Sequence, residues 1–279
     1  MDYEDRIIRV LSYIHDNPAG DLSLDALADV AALSRFHWHR VFHAISGETC
    51  AQAVRRIRLH RASFWLITTE MNWEDITEAC GQDSPRAFAR LFSQRYGKSP
   101  AAFRAAGEMR PALPLTPKGA TQMYPVEIQT LPARILAGMP HRGNYFEISH
   151  AFEKAGALFG ARGMWPQIQG MAGVYYDDPD SVPIEELRSF AGGIVADGVE
   201  IAPPLERLDL PAGRHGVLRY KGPYTGLKAA YEYLYGQWLP GSGETPAEFA
   251  VYEIYLNSPM DTAPEDLLTD ICMPLAEGQ

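Results

Sequence analysis

Cysteine is scarce in this chain: Cys50, Cys80 and Cys272 are the three present in 279 residues. They show neither zinc-site spacing nor a disulfide pattern, which fits a reducing compartment. No stretch is long and apolar enough to span a bilayer, and no secretory leader opens the chain. The expectation is a cytoplasmic protein with no membrane partner. Also missing are a Ser-His-Asp arrangement, a cluster of metal ligands and a glycine-rich phosphate loop. No catalytic residue, no metal and no cofactor is therefore expected.

Basic charge is in deficit overall, with a net charge of -10. Taken alone, that argues against nucleic acid. Its distribution says otherwise. Residues 1–29 hold two Arg and seven acids, and residues 106–279 hold twelve Lys/Arg and twenty-two acids. Residues 30–105 reverse the balance, with eleven Lys/Arg and six acids. A DNA-contacting surface is expected in that segment, and the acidic remainder would repel phosphate.

The length suits about two domains. Proline and glycine are sparse before residue 106, where the periodicity is helical. Ile7, Ile8, Leu11 and Ile14 suggest one apolar face, ended by Pro18 and Gly20. Residues 107–122 contain three prolines and read as an extended linker. Beyond it, over residues 123–279, the texture turns to strands, and the chain repeats itself. Leu131-Pro132-Ala133 recurs as Leu210-Pro211-Ala212, and Arg142-Gly143-Asn144-Tyr145 as Lys221-Gly222-Pro223-Tyr224. Phe152 matches Tyr231, Phe159 matches Trp238, and, with one residue inserted, Tyr175 matches Tyr255. Each copy reads β-β-α-β-β. The fold class expected is an all-α first domain, residues 1–106, followed by a duplicated α+β domain with a cleft between its halves.

The first domain has a duplication of its own. Ser34, Trp38, Arg40 and Phe42 align with Ser84, Phe88, Arg90 and Phe92 at a spacing of 50. Each copy reads as a short helix, a turn and a second helix begun by Ser as its cap, a helix-turn-helix. Ala28, Ala31 and Ala32 allow close helix crossing, and Trp38, Val41 and Phe42 face inward. Arg35, Phe36, His39 and Arg40 are left outside, as are Pro85, Arg86 and Arg90 in the second copy. Such positions read base edges in the major groove, with Arg the commonest guanine reader. Ser34 and Ser84 mark helix ends whose free N–H groups suit phosphate. A helix over residues 51–68 would hold the two reading heads roughly 34 Å apart, one DNA turn. The first head, richer in side chains that can bond to bases, is expected to discriminate more, and the second to anchor phosphate. His39 and His43 stand four apart on one helix, yet no carboxylate lies nearby in sequence. A DNA role is expected for His39 and a structural one for His37.

The stretch Leu24 to Arg104, ending Phe88-Ala-Arg-Leu-Phe-Ser-Gln-Arg-Tyr-Gly-Lys-Ser-Pro-Ala-Ala-Phe-Arg104, resembles the DNA-binding domain of the AraC/XylS family. The resemblance implies a transcription regulator, with double-stranded operator DNA and RNA polymerase as partners, acting as monomer or homodimer. One position departs: the residue after Gly81, usually aromatic in that family, is Gln82.

Glu253 stands out in the second half, because its mate in the first copy is Gly173. A lone carboxylate on an aromatic strand is costly to bury unless paired. A cationic ligand would supply the missing charge, with Tyr145, Trp165, Tyr224 and Trp238 as π-faces and Tyr175 and Tyr255 flanking. The alternatives are a Glu facing water and a Glu paired with an internal Arg or Lys. The segment Tyr124 to Leu275 resembles the GyrI-like effector-binding domain, a SOUL/SBM-type duplicated fold, on Lys221-Gly-Pro-Tyr224 and Val251-Tyr-Glu-Ile-Tyr-Leu-Asn-Ser-Pro259. Relatives bind small aromatic or cationic effectors, often with a Glu at the position of Glu253. Two rival readings are a hydrolase using Glu253 as general base and a protein that sequesters a drug.

Overall fold

The computed structural model describes residues 2–107 and 123–277. The expected linker lies outside the described residues, apart from Gly107. Two compact units emerge. One comprises residues 2–35 and 46–107, and the other joins residues 36–45 to residues 123–277.

The first unit is all-helical: α1 (Tyr3–Asp16), α2 (Leu24–Ala31), then α4 (Cys50–Thr68), α5 (Trp73–Ala79), α6 (Pro85–Tyr96) and α7 (Pro100–Ala106). Between α2 and α4 the chain forms α3 (Arg35–Ser46), whose residues 36–45 count with the other unit. Polar side chains begin most of these helices. Asp2, Ser23, Asn72, Ser84 and Ser99 each accept a backbone N–H of the first turn, and Thr49 with Gln52 closes a capping box on α4. Pro85 and Pro100 follow their caps at the first helical position, where no N–H is needed.

The inward face of α1 is Tyr3, Ile7, Val10 and Ile14, whereas Ile8 is exposed. The i, i+3, i+7 stripe that includes Val10 leaves Ile8 about 100° off the core side. A second core gathers Leu59, Leu66, Ile76, Phe88, Phe92, Tyr96 and Phe103. Trp73 stacks on Phe88 at 5.3 Å and donates its indole N–H to the Pro85 carbonyl. An aromatic ring on α5 thus supports α6 although residue 82 is Gln. Arg104 ties α7 to α4 through the Leu66 carbonyl at 2.9 Å.

The two turns differ at their left-handed residue. Ala32 takes φ 52° after α2, and Gly81 takes φ 63° after α5. A Cβ on Gly81 would stand 2.7 Å from the Ala19 Cα. Gly81→Ala should therefore cost about 2 kcal/mol or more, from left-handed strain and a backbone clash, read as a lower denaturation midpoint.

In the second unit the strands are β1 (Val126–Leu131), β2 (Arg134–Arg142), β3 (Ile168–Tyr175), β4 (Arg188–Val195), β5 (Glu206–Leu210), β6 (Gly213–Lys221), β7 (Tyr252–Tyr255) and β8 (Leu268–Pro274). Helix α8 (Ser149–Ala161) joins β2 to β3, and α9 (Leu227–Tyr233), continued by a π-turn over Leu234–Trp238, follows β6. Each repeat is thus β-β-α-β-β, as expected. The eight strands form one antiparallel sheet in the order β1-β6-β8-β7-β3-β4-β2-β5. The first strand of each copy has changed places: β1 pairs with β6, and β5 pairs with β2. The repeated Leu-Pro-Ala segments make the crossings, with Leu131 opposite Gly213 and Leu210 opposite Arg134. At the centre β3 meets β7, and Gly173 lies directly opposite Glu253.

Side chains alternate across this sheet. Leu136, Ala172, Val174, Tyr252, Ile254 and Cys272 fill one core, against which Phe36 also packs. Ile135, Ala137 and Val195 join Ala155 and Phe159 of α8 in another.

Candidate ligand pocket and DNA-reading helices

Glu253 is buried, and β7 directs it into a ring of phenols. The Tyr231 hydroxyl donates to Oε1 and the Tyr255 hydroxyl to Oε2, each at 2.9 Å. Tyr175 and Tyr255 hydroxyls are 2.7 Å apart. Gly173 makes room for them, since a Cβ there would stand 3.1 Å from the Tyr255 hydroxyl and 3.3 Å from that of Tyr175. Tyr145 packs edge-on against Tyr175 at 5.0 Å, while Tyr224 and Phe152 pack edge-on against Tyr255, each at 5.6 Å. Burial pushes the Glu253 carboxyl up to about 7, against the pull of Tyr255, Tyr231 and Arg40 toward ionisation. Four of the expected residues, Tyr145, Tyr175, Tyr224 and Tyr255, thus gather around Glu253. The two tryptophans are placed elsewhere. Trp165, half exposed, packs edge-on against Phe159, and Trp238 covers Gly216 of β6.

The two reading helices are unequally available. On α6, Ser84 caps the Ala87 N–H, Pro85 is half-buried, and Arg86 and Arg90 are exposed one turn apart. On α3, Arg35 is exposed and Phe36 half-buried, while His39 and Arg40 are buried. The Ser34 hydroxyl has no hydrogen-bond partner among the described residues, so it does not repeat the Ser84 cap. Arg40 donates from Nη2 to the carbonyls of Asp177 at 2.7 Å and Tyr175 at 3.2 Å. Its guanidinium lies 5.0 Å from the Tyr231 ring centre and 5.6 Å from that of Tyr235. One turn back, His37 Nδ1 lies 2.9 Å from the Tyr235 hydroxyl, and Nε2 faces the carbonyls of Ala247 and Phe249. Burial, with Arg40 nearby, holds His37 down at about 3, so it is neutral and accepts from Tyr235. The structural role expected for His37 is thus a set of bonds into the sheet domain. In this conformation α6 presents Arg86 and Arg90 to solvent, whereas α3 presents Arg35 and buries Arg40.

A family model described as a GyrI-like small molecule binding domain matches residues 124–276, more than half of the chain. Another, described as a helix-turn-helix domain, matches residues 27–106. The HTH-type transcriptional activator AarP of Providencia stuartii is 34% identical over 98 residues, which are 35% of this chain and 73% of that protein. The chain belongs to the AraC-type regulators that carry a GyrI-like domain. Two further relatives match one part each. The bifunctional transcriptional activator/DNA repair enzyme AdaA of Bacillus subtilis is 34% identical over 100 residues, 36% of this chain and 47% of that one. A DNA gyrase inhibitor of Yersinia enterocolitica is 39% identical over 88 residues, 30% of this chain and 56% of that one. This AraC-type regulator therefore spans about half the length of each of these two. No helix among its described residues is long and apolar enough to cross a membrane.

Two groups of residues in this regulator escaped the reading of its sequence. Tyr231, which the repeat marks only as the mate of Phe152, is one of the two donors to Glu253. Its mate in the other copy is Phe152, as the mate of Glu253 is Gly173. Hydroxyl and carboxylate are confined to the same copy, which is the signal that pairs them. The second group is His43 with Asp178 and Asp180, whose ligand atoms lie within 4.8 Å of one another. The fold supplies carboxylates from the β3–β4 loop, far from His43 in sequence. Lys228 holds Asp180 at 2.8 Å, so a cation already lies against that group.

Proposed function

We propose that this protein is a DNA-binding transcription regulator whose sheet domain takes up a small organic cation at Glu253. The observation that carries the reading is the carboxylate itself. It is buried, restricted to one copy of the repeat, and bonded by neutral phenols. A flat or aromatic cation would find a counter-charge and π-faces at one place. Both phenols can turn toward a ligand without leaving a charge unpaired. The test is calorimetric titration of the full chain with tetraphenylphosphonium at pH 8, with a neutral aromatic of similar size as comparison. The cation should bind and the neutral compound should not. Equal affinity for both would refute a charge-reading pocket.

For DNA, α6 supplies exposed Arg86 and Arg90 at the start of a helix opened by Ser84. Fragments selected from random duplexes by the full chain would give a probe. Arg86→Ala and Arg90→Ala should each lower affinity by about 1–3 kcal/mol where the contact is to a base edge. A contact to phosphate would instead weaken all sequences alike and flatten the salt dependence. Unchanged binding in both variants would remove α6 from the interface.

A further inference from the structure

We infer that Arg40 is a tethered cation of the effector site, which an entering organic cation displaces, so that ligand binding frees α3 from the sheet domain. The inference rests on the cation-pocket reading above and adds how that pocket is coupled to a DNA-reading helix.

Tyr231 is the shared wall. Its hydroxyl donates to Glu253 while its ring carries the Arg40 guanidinium. Tyr175 makes a second connection. Its carbonyl accepts from Arg40, and its hydroxyl meets that of Tyr255, the other donor to Glu253. A ligand that takes over a phenol bond on Glu253 frees a side chain that leads back to Arg40, whichever phenol it is. Charge acts in the same direction. Among the described residues, Arg40 is the basic side chain whose charge favours the ionised form of Glu253. Two cations beside one carboxylate repel in a site of low dielectric. Exchange of one cation for another keeps the carboxylate compensated throughout.

Arg40 is also held in a way that permits release. Its acceptors are two backbone carbonyls, and Nη1 has no hydrogen-bond partner among the described residues. Asp177, adjacent to those carbonyls, is already held by Arg188 through both carboxylate oxygens, at 2.6 and 3.0 Å. A buried guanidinium with an unmet donor gains a hydrogen bond on reaching water or a phosphate, which offsets the pull of the Asp178 charge on Arg40. Displacing Arg40 would also loosen Phe36 and His37, which precede it on the same helix and pack against or bond to the sheet domain.

The experiment follows amide exchange of residues 36–45 in the full chain, with and without tetraphenylphosphonium, alongside calorimetry of that cation. In the natural protein, saturating cation should raise exchange in this segment at least tenfold. Arg40→Met should show raised exchange without ligand and bind the cation at least tenfold tighter, while Arg40→Lys stays near the natural protein. Should Arg40→Met not fold, Tyr235→Phe, which deletes the hydroxyl bonded to His37 beside Arg40, should shift both readouts the same way. Unchanged exchange in these variants, or cation affinity no tighter than natural, overturns the inference while leaving the pocket standing if Glu253→Gln still abolishes binding. Equal cation binding by the natural protein and Glu253→Gln removes the pocket, and the inference with it.

Discussion

Glu253→Gln should lower affinity for tetraphenylphosphonium about 100-fold or more at pH 8 and, in the same protein, raise thermal stability. The affinity loss follows from deleting the charge that a buried cation needs. A hundredfold corresponds to about 2.8 kcal/mol, within the range measured for truncating one partner of a buried charge pair. The amide still offers an acceptor to one phenol and a donor toward the other, so the ring of Tyr231, Tyr175 and Tyr255 need not collapse.

The gain in stability comes from linkage. Burial raises the Glu253 carboxyl from 4.5 to about 7 in the folded protein. A group raised in this way contributes stability that is fully present below its unfolded value and is lost as pH rises through its folded value. The loss therefore develops between about pH 4.5 and 7 and amounts to roughly 3 kcal/mol. Glutamine has nothing to titrate. The difference in melting temperature between variant and natural protein should be small at pH 4 and reach roughly 6–12 °C at pH 8, for a unit of this size. A constant difference across that range would mean that Glu253 does not titrate as a buried acid. Bound cation should remove most of the difference by holding the carboxylate ionised, so the same residue would oppose stability when empty and support it when filled. That exchange is characteristic of a binding site, where local stability is given up for function.

Much of this was legible along the chain. Serine caps, helical stripes and the 79-residue repeat identified the helices, the strands and the position of Glu253, because each depends on near neighbours or on matched copies. What stayed hidden depends on which strand pairs with which. The exchange of β1 and β5 leaves every element in place and alters only partners, so no local pattern reports it. Arg40 is the sharper case. Its spacing on α3 is that of a solvent-facing reader, and the aromatic seat that buries it lies about two hundred residues away, on Tyr231 and Tyr235. Periodicity tells which residues share a helix face but not whether that face meets water. The same holds for His43, whose acidic neighbours come from the β3–β4 loop. Trp165 and Trp238 were drawn toward the pocket by residue type alone. Tyr231 is marked in the sequence only by its asymmetry with Phe152, since a helix tyrosine is as often packing as a hydrogen-bond donor.

Phe92→Ala should be the most damaging single change in the helical unit, at about 3–5 kcal/mol. The side chain is fully buried, and three rings surround it. Tyr96 lies at 4.6 Å, Phe103 at 5.2 Å in a perpendicular approach and Trp73 at 5.5 Å. These rings come from α5, α6 and α7, so Phe92 joins the second helix-turn-helix to the closing helix. Truncation loses both the transfer energy of the ring and two edge-on contacts worth about 0.5–1.5 kcal/mol each. Large rigid neighbours do not readily fill the void, which puts the cost toward the upper end of the range. Since Arg86 and Arg90 stand on the same helix, their presentation depends on this cluster. Chemical denaturation of the separate segment 2–107 and of the full chain should both show the loss. Phe92→Leu should recover more than half of it, because it refills most of the volume without the ring geometry. DNA affinity should fall with the folded fraction and no further: a Phe92→Leu protein that is fully folded yet fails to bind selected fragments would show that the ring sets the angle of α6 as well as its stability.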